Sequence, residues 1–235
     1  MQLFYNPNID NHTQQIVFNK DESRHIVKVL RKKEGDILHI TNGKGFLFSA
    51  EINIASDKKC IASIIKSEEK LKGWDYYLHI AIAPTKNNDR LEWFLEKATE
   101  IGIDEITPII CQNSERKVLK MERLEKITQS AMKQSLKFTL PILNEPIKFS
   151  EFAKLNFDDD VFIAHCEPSD KKFLKEVVKQ NSKITILIGP EGDFSLEEIQ
   201  KSIDKNFIPI TLGKSRLRTE TAGLVAVQNV SFLHQ

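Results

Sequence analysis

The sequence predicts an α/β protein in two parts. Residues 1–70 are expected to form a small β-rich domain, and residues 74–235 a mainly parallel α/β sheet. Three observations carry this. The runs Ile184 to Ile188 and Ile208 to Leu212 are short, β-branched and bounded by Gly or Pro, as strands buried on both faces of a parallel sheet are. Such runs alternate with helical periodicity, which gives repeated βα units. Before residue 70 several short strands instead follow one another closely, as in a small barrel or sandwich.

Taken in order, Gln15 to Asn19 is a short strand. Asp21 to Leu30 is a short helix with apolar Ile26, Val27, Val29 and Leu30 beside basic Arg24, Lys28 and Arg31. Gly35-Asp36 marks a turn, Ile37 to Thr41 alternates as a strand, and Asn42-Gly43-Lys44-Gly45 is a strong hairpin signal before Phe46 to Ile54. A further strand is expected over Cys60 to Lys66. The charged stretch Ser67 to Gly73 reads as the domain boundary. Beyond it, Tyr77 to Ala83 is a strand. Asn88 to Ile101 is an amphipathic helix with Leu91, Phe94, Leu95, Ala98 and Ile101 on one face and Gly102 as its stop. Glu105 to Cys111 is a strand and Met121 to Leu136 a helix. The acidic loop Asp158 to Asp160 precedes a strand at Val161 to His165, and Phe173 to Gln180 is expected to be helical.

Composition excludes several classes. The apolar fraction of 40% suffices for a real core. Three scattered cysteines (Cys60, Cys111, Cys166) form neither a disulfide framework nor a metal-ligand spacing, so no metal is expected and a reducing, cytoplasmic setting fits. The N-terminus lacks the basic flank and apolar stretch of a signal peptide, and no run approaches a membrane span. Net charge is +1, which argues against a general nucleic-acid coat. Its distribution is uneven: residues 1–72 carry 12 Lys/Arg and 9 Asp/Glu, a net +3 that leaves −2 for the remainder.

The chemistry is expected at the carboxyl ends of the strands at 184–188 and 208–212, because ligands bind there in open α/β sheets. The first of these loops is Gly189-Pro190-Glu191-Gly192-Asp193-Phe194, with glycines bracketing a rigid proline where backbone can approach a ligand. Ser195 and Glu198 fit a capping box that opens the next helix. The loop is neither a Walker A sequence nor GxGxxG. On its local chemistry an ordinary strand-to-helix turn explains it equally well. The second loop runs Gly213 to Ala222, with Thr219 as a plausible N-cap. Its Arg218 and Glu220 read either as an ion pair bracing the loop or as functional groups. The helix that follows, Ala222 to Phe232, is apolar on most faces and belongs in a core or an interface.

Together, GPEGDFS and LGKSRLRTETA resemble the RsmE family of SPOUT methyltransferases, and the resemblance spans nearly the whole chain. It implies a PUA-like N-terminal β-barrel that helps hold RNA and a C-terminal SPOUT domain with a trefoil knot. The implied reaction is S-adenosylmethionine-dependent methylation of N3 of one uridine in the 16S rRNA of the small ribosomal subunit, by a homodimer. The implied cofactor contacts are Leu187, Gly189, Pro190, Glu191, Gly192, Leu212, Gly213, Leu217 and Arg218. SRHIVKVLR and NGKG match the family's N-terminal pattern, which makes Arg24, His25, Arg31 and Lys44 RNA-contact candidates. In the second half, Lys86 with Arg90, then Arg116 and Gln134, match further polar stretches. There are departures: Asp193 stands where the family usually has Gly, Lys137 where Arg is usual, and Lys214-Ser215 where Pro and Arg are common.

For that reaction the N3 proton must leave and the anionic base must be stabilised as it forms. Arg218 is the first candidate for stabilisation, with Glu220 orienting it, and the proton passes either to a carboxylate, with Glu191 the candidate, or to solvent. N3 lies on the pairing edge, so the base must be unpaired or flipped out. The rival readings are a SPOUT enzyme acting on a ribose 2′-hydroxyl or another base, and a non-catalytic RNA-binding module.

Overall fold

The computed structural model describes residues 1–158, 160–179 and 183–234. The chain divides into two compact units. One comprises Met1–Lys72 with Met132–Leu140, the other Gly73–Ala131 with Pro141–Gln235.

The first unit is a curled five-stranded sheet, ordered β1 (Leu3–Tyr5), β3 (Ile37–Thr41), β4 (Phe46–Ile54), β5 (Ile61–Glu69) and β2 (Gln15–Val17). β3 and β4 form the hairpin expected at Asn42 to Gly45, with Thr41 opposite Leu47. Gly43 and Gly45 both have positive φ, 71° and 87°, which suits glycine at such a turn. At Gly43 a side chain is further barred by the Tyr5 ring, which a Cβ would meet at 2.9 Å. Residues from the later segment cover this turn: Gly45 N–H donates to the Phe138 carbonyl, and Leu140 N–H to the Gly43 carbonyl, both at 2.9 Å. α1 (Lys20–Arg24) is capped by Asn19, whose side chain accepts from Glu22 N–H, and runs on into a π turn at His25–Val29. Ile26 points inward, packing with Phe4, Phe18, Leu38, Ile40 and Phe48.

Two details differ from the sequence reading. β1 is a strand of only three residues, too short for periodicity to declare, and pairs parallel to β3. β5 extends to Glu69, beyond the strand expected over Cys60 to Lys66, so Ser67 to Glu69 of the charged stretch are paired with β4. Pairing with Phe46 to Phe48 outweighs the weak strand preference of Glu.

The second unit holds a parallel sheet ordered β11 (Lys172–Phe173), β13 (Ile208–Thr211), β10 (Asp160–Ala164), β12 (Lys183–Ile188), β6 (Tyr77–Ile82), β7 (Glu105–Ile110) and β8 (Ile142–Leu143). A short β9 (Ile147–Lys148) also pairs with β7. Side chains alternate across it. Leu78, Ile80 and Ile82 of β6 and Ile184, Ile186 and Ile188 of β12 enter one apolar layer with Phe94, Leu95, Ala226 and Val230. Ala81 and Leu187 enter the opposite layer with Ile109, Phe149, Phe152 and Phe194. Apolar surface is therefore buried on both faces, each fully buried Leu, Ile or Phe side chain contributing roughly 1.5–3 kcal/mol.

α2 (Asn88–Ile101) starts at an Asn87 cap and stops at Gly102, whose φ of 136° and closeness to Trp74 admit no side chain. α3 spans Met121–Gln134, α4 Phe149–Phe152 and α6 Leu196–Asp204. The final helix, α7 (Thr219–Leu233), packs on α2 and β6 through Gly223, where a Cβ would come within 2.7 Å of the Phe94 ring and 2.9 Å of Ile82. The helix expected over Phe173 to Gln180 is shorter. Lys172–Phe173 pairs with Ile210–Thr211 at the sheet edge, and only Leu174–Val177 (α5) is helical. Gln180 lies outside the described residues, as does Asp159 of the acidic loop.

Candidate active site

Both glycine loops lie at carboxyl ends of parallel strands, β12 and β13, which flank β10 on either side. The first loop is held from several sides. The Gly189 carbonyl accepts a buried hydrogen bond of 3.0 Å from the Thr219 hydroxyl, which ties the two loops together. A Cβ on Gly189 would meet the Phe194 ring at 3.0 Å. Asn113, beyond β7, donates its amide to the carbonyls of Gly192 and Asp193, both at 3.1 Å. The expected capping box is present: Ser195 Oγ accepts from Glu198 N–H, and the Glu198 carboxylate accepts from Ser195 N–H. Its other oxygen accepts from Gln112 N–H at 2.8 Å.

Asp193 has a φ of 62°. Its carboxylate uses both oxygens: Oδ2 accepts from Cys166 N–H at 2.6 Å and Oδ1 from Phe194 N–H at 2.8 Å. Local hydrogen bonding of this kind is what lets Asp occupy the left-handed region. It also links the loops after β10 and β12.

These loops enclose two adjoining cavities. The larger, about 480 Å³, is lined among others by Gly192, Leu212, Gly213 and Leu217. The smaller, about 280 Å³, is lined by Gly189, Pro190, Glu191, Leu217 and Arg218. Eight of the nine residues expected around a cofactor therefore border one or other cavity. Leu187 does not. It is fully buried in the apolar layer with Ala81, Ile109 and Ile163. A strand buried on both faces does not reveal which face a given residue takes, so its apolar character could not place it.

The structure also brings in residues the sequence reading passed over: His165, Cys166, Lys171 and Arg216 line the larger cavity. A signal existed for the first two, since His165 ends the strand expected at Val161 to His165 and Cys166 follows it, at the carboxyl end of a parallel strand. His165 is buried, with Nδ1 unpartnered among the described residues. Burial, then the nearby Lys171 ammonium, lower its pKa and favour the neutral ring. Burial and the Asp193 carboxylate push the Cys166 thiol up, so it is no ready nucleophile.

Arg218 is the exposed residue immediately before α7, and its side chain forms no hydrogen bond or ion pair with the described residues. Thr219 is not the N-cap; it is the first helical residue, and its hydroxyl goes to Gly189 instead. Glu220 does not orient Arg218. Its Oε1 lies 3.8 Å from Arg90 Nε, and its Oε2 is buried without a partner among the described residues. Glu191 accepts from Lys86 N–H at 3.0 Å. Lys86 Nζ in turn meets Glu115 at 2.9 Å, which raises its pKa, and Arg116 donates to the Lys86 carbonyl at 2.7 and 3.1 Å.

Among the RNA-contact candidates of the first unit, Arg24, Arg31 and Lys44 are exposed, and His25 lies edge-on to the Phe4 ring. Lys44 Nζ donates to the Pro7 carbonyl at 3.3 Å. Gln134 is exposed at the end of α3. Among the described residues no cluster of His, Cys, Asp or Glu could hold a metal ion, and no helix is long and apolar enough to cross a membrane.

A parallel sheet with a loop-built cavity at its carboxyl ends, together with a curled β unit, defines a class. Residues 73–231 match the RNA methyltransferase domain family and residues 18–65 the RNA methyltransferase PUA domain family. The chain is 35% identical over 221 residues to Ribosomal RNA small subunit methyltransferase E of Buchnera aphidicola, covering 91% of this chain and 86% of that one. It is also similar to the crystal structure of a probable rRNA-methyltransferase from Porphyromonas gingivalis (TM-score 0.93, 41% identity, 100% and 98% of the two chains). A third relative is the Ribosomal RNA small subunit methyltransferase E of Neisseria gonorrhoeae, solved bound to S-adenosyl methionine (TM-score 0.85, 26% identity, 99% and 98% of the two chains). The chain belongs to the RsmE family, and its N-terminal unit is accordingly PUA-like.

Proposed function

We propose that this protein binds S-adenosylmethionine and methylates N3 of a single uridine in the 16S rRNA of the small ribosomal subunit. The observation that carries the reading is the loop-enclosed cavity of about 480 Å³ at the carboxyl ends of β10, β12 and β13. Its size is within the range of small-molecule sites, and its wall fits such a cofactor. Leu212, Leu217 and Ile210 offer apolar contact, while the glycine loops offer backbone groups. When bound, the cofactor supplies a methyl group on a sulfonium centre.

The chain's own residues account for the rest. Arg218, exposed beside the smaller cavity and with no partner in the described chain, is free to stabilise a developing uracil anion. Glu191, held by Lys86 N–H on the wall of the same cavity, is the candidate proton acceptor. Glu220 braces Arg90, and through it the start of α2. Arg24, His25, Arg31 and Lys44 on one unit, and Lys86, Arg90 and Arg116 on the other, are the RNA-contact candidates, with Gln134. Cations of this kind position RNA through its phosphates.

Three further features belong to the reading. The chain leaves β13 near one edge of the sheet and α7 returns to pack on β6 and α2, a path consistent with a trefoil knot. Leu224, Val225 and Phe232 of α7 are left partly or wholly open in the single chain, which suits a homodimer. The setting is the cytoplasm, where the RNA is.

The test is transfer from labelled S-adenosylmethionine to small ribosomal subunits isolated from cells lacking the modification, with mass mapping of the product. A methyl group on N3 of one uridine is expected. A methyl on a ribose 2′-hydroxyl or another base would overturn the target and keep the class. No transfer together with no cofactor binding would leave an RNA-binding module.

A further inference from the structure

We infer that Asp193 is a specificity residue of the cofactor cavity: its carboxylate favours the cationic sulfonium of S-adenosylmethionine over the neutral thioether of the product, S-adenosylhomocysteine. The inference rests on the cofactor reading above.

Asp193 borders both cavities. Of the carboxylates on their walls, Glu167 borders only the larger and Glu191 only the smaller, so Asp193 is the acidic group common to the two. Its position is fixed. The residue sits at a φ of 62°, Oδ2 is held by Cys166 N–H at 2.6 Å, and Oδ1 by Phe194 N–H at 2.8 Å. Two backbone donors hold the group without neutralising it. Three cations also line the larger cavity: Lys171, whose Nζ donates to the carbonyls of His165 and Glu167 at 2.9 and 2.8 Å, and the exposed Lys214 and Arg216; among the described residues none forms an ion pair with Asp193. A fixed charge that is partly buried acts more strongly than one in open water. The two ligands differ in one methyl group and one unit of charge, and that charge is what a carboxylate reads. Loss of the methyl group would also weaken the hold on the product.

A merely structural latch would treat both ligands alike, and this separates the two roles. Calorimetric titration of the full chain with each ligand tests it, on wild type, Asp193→Asn and Asp193→Gly. Asn keeps the size and one acceptor oxygen; Gly tolerates the positive φ and so guards against misfolding. Asp193→Asn is expected to weaken S-adenosylmethionine about tenfold, or ~1.4 kcal/mol, and the product less than about twofold. Asp193→Gly should likewise lose the preference for the charged ligand. Equal weakening of both ligands, or of neither, overturns the inference. Wild type binding neither ligand would instead overturn the cofactor reading itself.

Discussion

Glu220 in the first turn of α7 lies 3.8 Å from Arg90 in the first turn of α2, and this pair joins the starts of two packed helices. A carboxylate suits a helix N-terminus, whereas a cation opposes it. Arg90 is therefore placed against its own helix dipole and compensated by a carboxylate from another helix. Lys86, one turn earlier, is compensated in the same way by Glu115.

Removing Arg90 should leave the buried Glu220 without a cation. Arg90 is partly exposed, so solvent moderates the loss to about 1–3 kcal/mol. Arg90→Ala is expected to lower the thermal midpoint by several degrees at pH 7, and Arg90→Ala with Glu220→Gln to recover most of it. A single variant that melts like wild type would show the pair to be energetically silent.

Arg218 is exposed and its side chain forms no hydrogen bond or ion pair with the described residues, so its removal should spare the fold. Arg218→Ala is expected to keep the melting temperature within the shift of about 0.5 kcal/mol usual for surface positions. Methyl transfer to small subunits should fall by about 100-fold or more, as when one electrostatic stabiliser is lost. Comparable activity in the variant would move the stabilising role elsewhere.

The Thr219 hydroxyl is the bond that ties the second loop to the Gly189 carbonyl. Thr219→Val keeps the shape and leaves that buried carbonyl without its donor, a loss of about 1–3 kcal/mol. The stability change should come with weaker S-adenosylmethionine binding in titration, because both loops line the cavity. Weaker stability with unaltered binding would confine the bond to the fold.

His165 sets a pH dependence. Its pKa in the folded chain is lowered, first by burial and then by Lys171, below the ordinary value near 6.5. Between the two values the unfolded chain binds a proton that the folded chain refuses, so stability rises with pH there. It is therefore lost as pH falls below about 6.5 and levels off once the folded ring protonates. Thermal midpoints of wild type and His165→Asn between pH 7 and 5 should diverge in that sense, the variant being flatter. Parallel curves would assign the acid sensitivity to other groups.

Much of the site was legible because backbone chemistry is local. Gly189, Gly192 and Gly213 announce loops, Ser195 and Glu198 announce a helix start, and apolar β-branched runs announce buried strands. Pairings distant in sequence were not legible. Nothing near Glu220 points to Arg90, 130 positions earlier, and proximity in sequence suggested Arg218 instead. Nothing in a doubly buried strand tells Leu187 from Ile188, yet one faces the layer of Phe149 and the other that of Phe94.

By itself the sequence determined the α/β class, the longer strands and helices, the family, and the two loops where a ligand is expected. All follow from periodicity, turn residues and motifs that act over a few positions. Only the tertiary structure decided which charges pair, which side chains face the cavity, and that residues 132–140 complete the first unit by covering the Gly43 turn. It also gave Asp193 a purpose, a carboxylate spanning two loops 27 residues apart. The reason is physical: strand order and crossover paths bring together residues with no local signal for one another, and charge and hydrogen bonding act across space rather than along the chain.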